Sequence, residues 1–341
     1  MKQLSLSPAD VGNTEPGRQT VCKLDDGKAL PASATTLAVR VSEREKARRL
    51  DQFYTRAEVV EDLLDWYRVK RIEHNLLRFQ RTRIIEPSAG TGAFLRKLPL
   101  GSEGYDIDPK APGIRQGNFF VLPLSLDDPL LVIGNPPFGK NASMAIKFFN
   151  RAAQAASVIA FIVPRTFQKV SVQNRLDLSF HLVDEILVPK DAFIFEGERK
   201  HVPAVFQIWV KKDVRRQKIA LPKAHADFEF LRAGEAHKAN FAIQRVGAKA
   251  GQVHHNLEAK PSAHYFIRAT SGIDDLEDAM CRLRLDFEVM AQRTAGKPSL
   301  AKTEVVQLYT QFRTSSSDEP GASPECSSPG RRVEGKDAIC S

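Results

Sequence analysis

The chain has 341 residues, 42% of them hydrophobic and 27% charged, with a net charge of +9. That is enough to bury one large core and a smaller one, and the charge favours an anionic partner, nucleic acid first. No apolar run approaches the roughly 18 residues of a membrane span, and Cys22, Cys281, Cys326 and Cys340 show no metal or disulfide spacing, so no metal site is expected and an intracellular setting is, with cytoplasm, nucleus and organelle all open.

Residues 1–46 mix Ser, Pro, Gly, Thr and charge without a hydrophobic period and are expected to be disordered. The basic run Arg44, Lys46, Arg48 and Arg49 reads as solvated charge. Order begins at Asp51-Gln52-Phe53-Tyr54-Thr55. Thr55 with Glu58 spells a capping box, and Val59, Val60, Leu63, Leu64 and Tyr67 share one helical face. Phe53 and Tyr54 then stand just before a helix, as a hydrophobic staple or as ligand contacts.

The stretch from Arg83 to Phe94 reads as strand, glycine-bearing loop and helix start. Gly90 and Gly92 let the backbone approach a ligand, and a helix N-terminus offers free N–H groups. An acidic strand end follows, in which Asp106 can accept both ribose hydroxyls of a nucleoside cofactor, whereas Asp108 before Pro109 suits a turn. Asn118 and Phe119 end a third short strand, where they can meet an adenine ring. An Asn turn with a buried Phe fits those two residues equally well.

The apolar run Leu130–Ile133 has the length of a buried strand and delivers Asn135-Pro136-Pro137-Phe138 to its carboxyl end, where open α/β sheets bind ligands. Pro136 and Pro137 hold φ near −65° and so set the direction of their carbonyls. The Asn135 side-chain oxygen and the Pro136 carbonyl can accept both hydrogens of one exocyclic amine, pulling its lone pair out of conjugation and aiming it outward. Phe138 offers a flat face to the same base. A tight Asn-Pro turn after a core strand is the blander alternative.

A helix is expected over 141–155, then apolar strands at 157–163, 182–188 and 202–210. This alternation predicts an open, mostly parallel sheet covered on both faces. Phe195, in the aromatic loop 191–197, either gives a second stacking surface or anchors the loop to the core. Lys211, Lys212, Arg215, Arg216 and Lys218 make a basic linker. Beyond it, β-rich segments at 227–230, 241–246 and 264–267 and helices near 274–292 and 302–312 predict a small subdomain, followed by a disordered tail over 313–341.

Residues 50–212 resemble the S-adenosylmethionine-dependent amino-methyltransferases, especially the N6-adenine enzymes of DNA. The likeness is carried by Glu86-Pro87-Ser88-Ala89-Gly90-Thr91-Gly92 and Asn135-Pro136-Pro137-Phe138, with Asp51–Thr55 resembling the N-terminal cofactor motif. That motif order is the one of the gamma class. The resemblance implies a Rossmann-like class I methyltransferase fold over residues 47–212: a seven-stranded, mostly parallel sheet with helices on both faces. It further implies an α+β subdomain over 213–312 with a role in target recognition.

The implied cofactor is S-adenosyl-L-methionine. Phe53, Tyr54, Thr55, Glu86, Pro87, Ser88, Gly90 and Gly92 would surround its methionine part, Asp106 would hold the ribose, and Asn118 with Phe119 the adenine. The family more often has Asp where Asn118 stands. Asn135, Pro136, Pro137 and Phe138 would be catalytic, with Phe138 and, by a looser match, Phe195 stacking an extruded base. The implied reaction is methyl transfer to the N6 amine of adenine, in DNA ahead of RNA. About 100 ordered residues remain for target readout, which leaves room for a protein partner. Competing readings are a glutamine-amide methyltransferase, disfavoured because that family usually has Tyr at the position of Phe138, and a scaffold without catalysis.

Overall fold

The computed structural model describes residues 53–76, 82–125 and 128–317. Asp51, Gln52, the expected disordered segment 1–46, the basic run at 44–49 and the tail past 317 lie outside the described residues.

Strand β1 (Tyr54–Thr55) leads into helix α1 (Ala57–Glu73), whose Val59, Val60, Leu63, Leu64 and Tyr67 are buried. The capping box does not form. Arg56 occupies the cap position without a side-chain cap bond, because Thr55 is a strand residue whose hydroxyl is bonded elsewhere.

Next come β2 (Arg83–Glu86), β3 (Glu103–Asp106), β4 (Ile114–Gln116), β5 (Leu130–Gly134), helix α2 (Ser143–Ala152) and β6 (Val158–Pro164). They are followed by the one-turn helix α3 (Val170–Gln173), β7 (Phe180–Leu187), the hairpin strands β8 (Phe193–Phe195) and β9 (Glu198–Lys200), and β10 (Ala204–Lys211). The main sheet has seven strands in the order β4-β3-β2-β5-β6-β10-β7. Pairing is parallel from β4 through β6, and β10 is antiparallel to both of its neighbours. This is the Rossmann-like strand order of a class I methyltransferase fold.

Every residue of β5 and β6 is buried. Burying each side chain such as Val132 or Ile133, both 0% exposed, contributes about 1.5–3 kcal/mol over leaving it in water. One face of the sheet packs on α1 with Phe94, and the other on α2 with Phe167 and Leu176. The helix expected to start in the glycine loop is absent. Residues 87–94 are mostly turns, and only a 3₁₀ turn, Leu95–Lys97, follows. Pro99 explains the early stop, since it drives Leu98 into the extended conformation that the structure shows (ψ 159°).

The aromatic loop at 191–197 is partly a strand. β8 pairs with β9 and also with β1, Tyr54 opposite Ile194 and Thr55 opposite Phe193. A second sheet follows, made of β11 (Phe228–Leu231), β12 (Phe241–Gln244), β13 (Val253–His254) and β14 (His264–Ala269) in the order β11-β14-β12-β13. Helices α4 (Ile273–Arg282), α5 (Arg284–Ala291) and α6 (Lys302–Ser317) close over it around Phe241, Ile267, Met280, Phe287 and Val306. The single helix expected at 274–292 is broken at Leu283, whose ψ is 0°. α6 runs on to Ser317, so residues 313–317 are helical and not part of a tail.

The two sheets are joined by a buried ion pair. Lys169 Nζ donates to Glu304 and to the Ser299 carbonyl, each at 3.0 Å, with side chains 11% and 8% exposed for Lys169 and Glu304. The basic linker leaves from the other edge of the main sheet. Because β10 is antiparallel, it ends where β6 begins, and Lys211 N donates to Ser157 O. Arg216 then donates to the carbonyls of Phe180, Gln173 and Asp177, while Asn174 exchanges two hydrogen bonds with the Ile219 backbone. Among the described residues no helix is long and apolar enough to cross a membrane.

Candidate active site

The strand order reverses between β2 and β5, and a crevice opens at such a point over the carboxyl ends. A cavity of about 370 Å³ lies there. It is lined by residues that the sheet brings together from Phe53–Thr55, the loop after β2, the ends of β3 and β4, the loop after β5 and helix α2.

β1 reaches the cavity because it is clamped between β8 and Asn135. The Asn135 Nδ2 group donates to the Phe53 carbonyl at 2.9 Å and to Thr55 Oγ1 at 3.1 Å. A carbonyl only accepts, so the amide orientation is determined, and Oδ1 points away from both partners. That oxygen is buried and has no hydrogen-bond partner. Buried acceptors are nearly always satisfied, so a free one beside a cavity marks a place for a donor.

Polar contacts fix the loop after β2 and the strand end beside it. Ser88 Oγ donates to the Asn135 carbonyl at 3.2 Å, tying the two loops together. Gly90 N donates to Asp106 Oδ2 at 2.7 Å, and Asp108 N to Asp106 Oδ1 at 2.7 Å. Leu95 N donates to Glu86 Oε2 at 2.8 Å. Gly90 has φ +50°, and a Cβ there would lie 2.7 Å from the Tyr54 ring, so only glycine lets Tyr54 cover the loop. Glu86 is 2% exposed. Burial pushes its carboxyl well above the usual range, opposed by the Leu95 N–H and reinforced by the Asp106 charge. Burial and the nearby Asp106 and Asp108 raise the Tyr54 hydroxyl to about 12.

Most of the residues singled out from sequence meet at this cavity: Phe53, Tyr54, Thr55, Glu86, Pro87, Ser88, Gly90, Asp106, Asn118, Phe119, Asn135 and Pro137 line it. Gly92, Pro136, Phe138 and Phe195 do not. Pro136 is buried. The Phe138 ring stands edge-on to Phe193 at 6.3 Å. Its carbonyl accepts Met144 N and Ala145 N, bending the chain into α2. Phe195 stacks on Phe53, centroids 4.7 Å apart, so one face of that ring is already covered.

The Asn118 carboxamide makes the turn that the blander reading foresaw, accepting from Phe120 N at 3.0 Å. Phe119 is 2% exposed and stacks on Phe148 at 5.5 Å. The more accessible apolar surface belongs to Ile107 and Phe120, 56% and 36% exposed, which also line the cavity together with Met144 and Phe148. Sequence reasoning passed over these four. Ile107 and Phe120 sit next to residues it did choose, and an exposed large apolar side chain beside an acidic strand end was the available signal. Met144 and Phe148 carried none beyond helical periodicity.

The cavity suits the implied cofactor. Its size falls in the range of small-molecule sites, Asp106 presents a carboxylate at a strand end, and Tyr54, seated against Gly90, forms part of the cavity wall. Elsewhere, Glu73, His74 and Asp184 bring ligand atoms within 4.8 Å of one another. The Lys70 ammonium already supplies positive charge there, 2.6 Å from Glu73 and 3.3 Å from Asp184.

A scan against protein-family models finds no match, and neither does a search of curated proteins. Among solved structures the chain is similar to a protein from Pyrococcus horikoshii provisionally described as an RNA methyltransferase. The TM-score is 0.35 and the identity 18%, over 48% of this chain and 87% of that one. It is also similar to the 23S rRNA methyltransferase ErmE, with TM-score 0.28 and 12% identity over 39% and 63%. At these scores neither likeness bears on substrate, and the strand order above carries the fold.

Proposed function

We propose that the chain is an S-adenosylmethionine-dependent methyltransferase acting on the N6 amine of adenine in nucleic acid, with DNA as the first substrate to test. The observation that carries this is the Asn135 carboxamide: its amide group donates to Phe53 O and Thr55 Oγ1, and its buried oxygen is left without a donor beside the cavity. That oxygen is placed to accept one hydrogen of an exocyclic amine. Accepting it draws the nitrogen lone pair away from the ring and makes the amine a better nucleophile. Asn135 takes up no proton itself; its part is orientation and electrostatics set before the reaction begins.

The cofactor, when bound, supplies an electrophilic methyl group. Asp106 would hold its ribose hydroxyls with the lone pairs not used by Gly90 N and Asp108 N. Ile107 and Phe120 would flank its base, together with Asn118 and Phe119. Glu86, Pro87, Ser88 and the residues of β1 would line the remainder, with Tyr54 as the cover. A target adenine, extruded as base-modifying enzymes require, would lie against the accessible part of Phe138. With one Phe195 face taken by Phe53, that residue supports the wall through Phe53.

The test is transfer of label from S-adenosylmethionine to unmethylated DNA and, separately, to total RNA, with digestion to nucleosides and Asn135→Ala as control. Label in N6-methyldeoxyadenosine that the variant loses supports the DNA reading. Label in N6-methyladenosine moves the same chemistry to RNA. No label in either, with the cofactor bound, overturns the nucleic-acid reading.

A further inference from the structure

The chain carries a net charge of +9, yet its densest basic stretch, the linker after β10, starts at the edge of the sheet opposite the cavity, and Arg216 within it is spent on backbone carbonyls. Another pair of cations is placed differently. The Arg245 guanidinium lies 5.1 Å from the centre of the Tyr265 ring, and Lys302 Nζ lies 5.7 Å from the same ring and 4.8 Å from that of Phe230. Among the described residues neither side chain makes an ion pair, and Arg245 Nε is buried without a partner. The closest carboxylate in sequence, Glu304, is engaged by Lys169 and by Ala301 N. Two like charges thus share one ring, unpaired among the described residues, and burial together with Arg245 depresses the Lys302 ammonium.

This pair sits at the seam between the two sheets. Lys169, which grips Ser299 and Glu304 on either side of Lys302, closes the turn Arg165–Gln168 at the carboxyl end of β6. That turn holds three more buried atoms without partners: Arg165 Nε, Thr166 Oγ1 and Gln168 Oε1. Unneutralised cations interleaved with aromatic faces are suited to a polyanion that also carries stackable bases.

We propose that Arg245 and Lys302, over Tyr265 and Phe230, hold the sugar-phosphate backbone of the nucleic acid substrate beside the carboxyl edge of the main sheet. The inference rests on the proposed function for its partner. It assigns contact to the seam and not to the basic linker.

The experiment measures binding of the full chain to a fluorescein-labelled mixed-sequence oligodeoxynucleotide, single-stranded and duplex, across a salt series. Each phosphate contact contributes about −0.7 (single strand) to −0.9 (duplex) to the slope of log affinity against log salt. The double variant Arg245→Gln/Lys302→Gln should therefore flatten the slope by about 1.4 (single strand) to 1.8 (duplex) and weaken binding roughly tenfold at low salt. Its melting temperature should hold or rise, because substitution relieves like-charge crowding. Arg282→Gln, an exposed cation on α4 paired with Asp278, should leave the slope unchanged.

An unaltered slope in the double variant, an equal change in Arg282→Gln, or no salt-dependent binding by the parent chain would overturn the assignment. Absence of methyl transfer with the slope change intact would instead overturn the proposed function and leave the surface standing.

Discussion

Replacing Asn135 by alanine separates the chemistry from the scaffold. The substitution removes two neutral hydrogen bonds, to Phe53 O and Thr55 Oγ1, each contributing about 0.5–1.5 kcal/mol net. Stability should fall by about 1–3 kcal/mol, a shift of roughly 2–12 °C in melting temperature for a domain of this size. Ser88 bonds the Asn135 backbone carbonyl and not its side chain, so the cofactor loop keeps its anchor and cofactor affinity should scarcely change. Transfer loses the Asn135 oxygen as an oriented acceptor, and by comparison with other preorganised hydrogen-bond sites the rate should fall about 10²–10³-fold. Single-turnover kinetics with saturating cofactor, beside calorimetric titration of the cofactor, read the two quantities separately. Asn135→Asp sharpens the comparison: it sets an oxygen against the Phe53 carbonyl where an N–H stood at 2.9 Å, and should destabilise more than alanine does. A rate within about tenfold of the parent (~1.4 kcal/mol), or a loss matched by lost cofactor binding, would refute this reasoning.

Asp106→Ala frees Gly90 N and Asp108 N and removes the proposed ribose acceptor; cofactor affinity should drop roughly 10–100-fold, for bonds to a charged group worth about 1.5–3 kcal/mol, and an unchanged calorimetric isotherm would remove the assignment. Glu86→Gln concerns pH. A carboxyl raised in the folded state contributes fully below its ordinary value near 4.5 and progressively less as pH climbs through the folded value. The glutamine variant should therefore melt higher than the parent at neutral and alkaline pH, with the advantage vanishing below about pH 4; a constant offset across the series would contradict it. Lys169→Met strands Glu304 at 6% exposure and should cost about 3–5 kcal/mol, while Lys169→Met/Glu304→Gln recovers most of it. Denaturant melts check this, and equal losses in both variants would show that burial of the pair is not what matters.

The strands were legible because apolar runs such as 130–133 and 157–163 are buried on both faces of a parallel sheet, where period and length agree. The site was legible where one backbone demand selects one residue type, as at Gly90, or where an acid ends a strand, as at Asp106. What escaped was set by distant partners. Thr55 and Glu58 satisfy the capping-box spacing, but the Thr55 hydroxyl is claimed by Asn135, 80 positions away. Phe195 matches a stacking position by sequence, yet Phe53 reaches it first through β-pairing that neither segment announces. The strand 202–210 reads as apolar, but Gln207, 0% exposed, joins a polar chain from Trp209 to Glu185 and Gln168. A local window holds no information about such contacts.

The antiparallel course of β10 has a mechanical consequence. The chain leaves the main sheet on the side away from the cavity, yet the second sheet must meet the Arg165–Gln168 turn on the near side. Eight residues of strand span about 26 Å, so the connection has to climb back over that height. The segment 212–227 could reach about 55 Å if fully drawn out, which leaves slack, but Arg216 and Asn174 take up its first half by fastening it to the face beside β7. It therefore works as a strap with one fixed end and one free span. Residues inserted after Ile219 would lengthen only the free span, at a loop-closure cost of about 0.6 kcal/mol per doubling. The same insertion before Arg216 would pull the fastening out of register, and the second sheet would lose its bearing on the edge it serves.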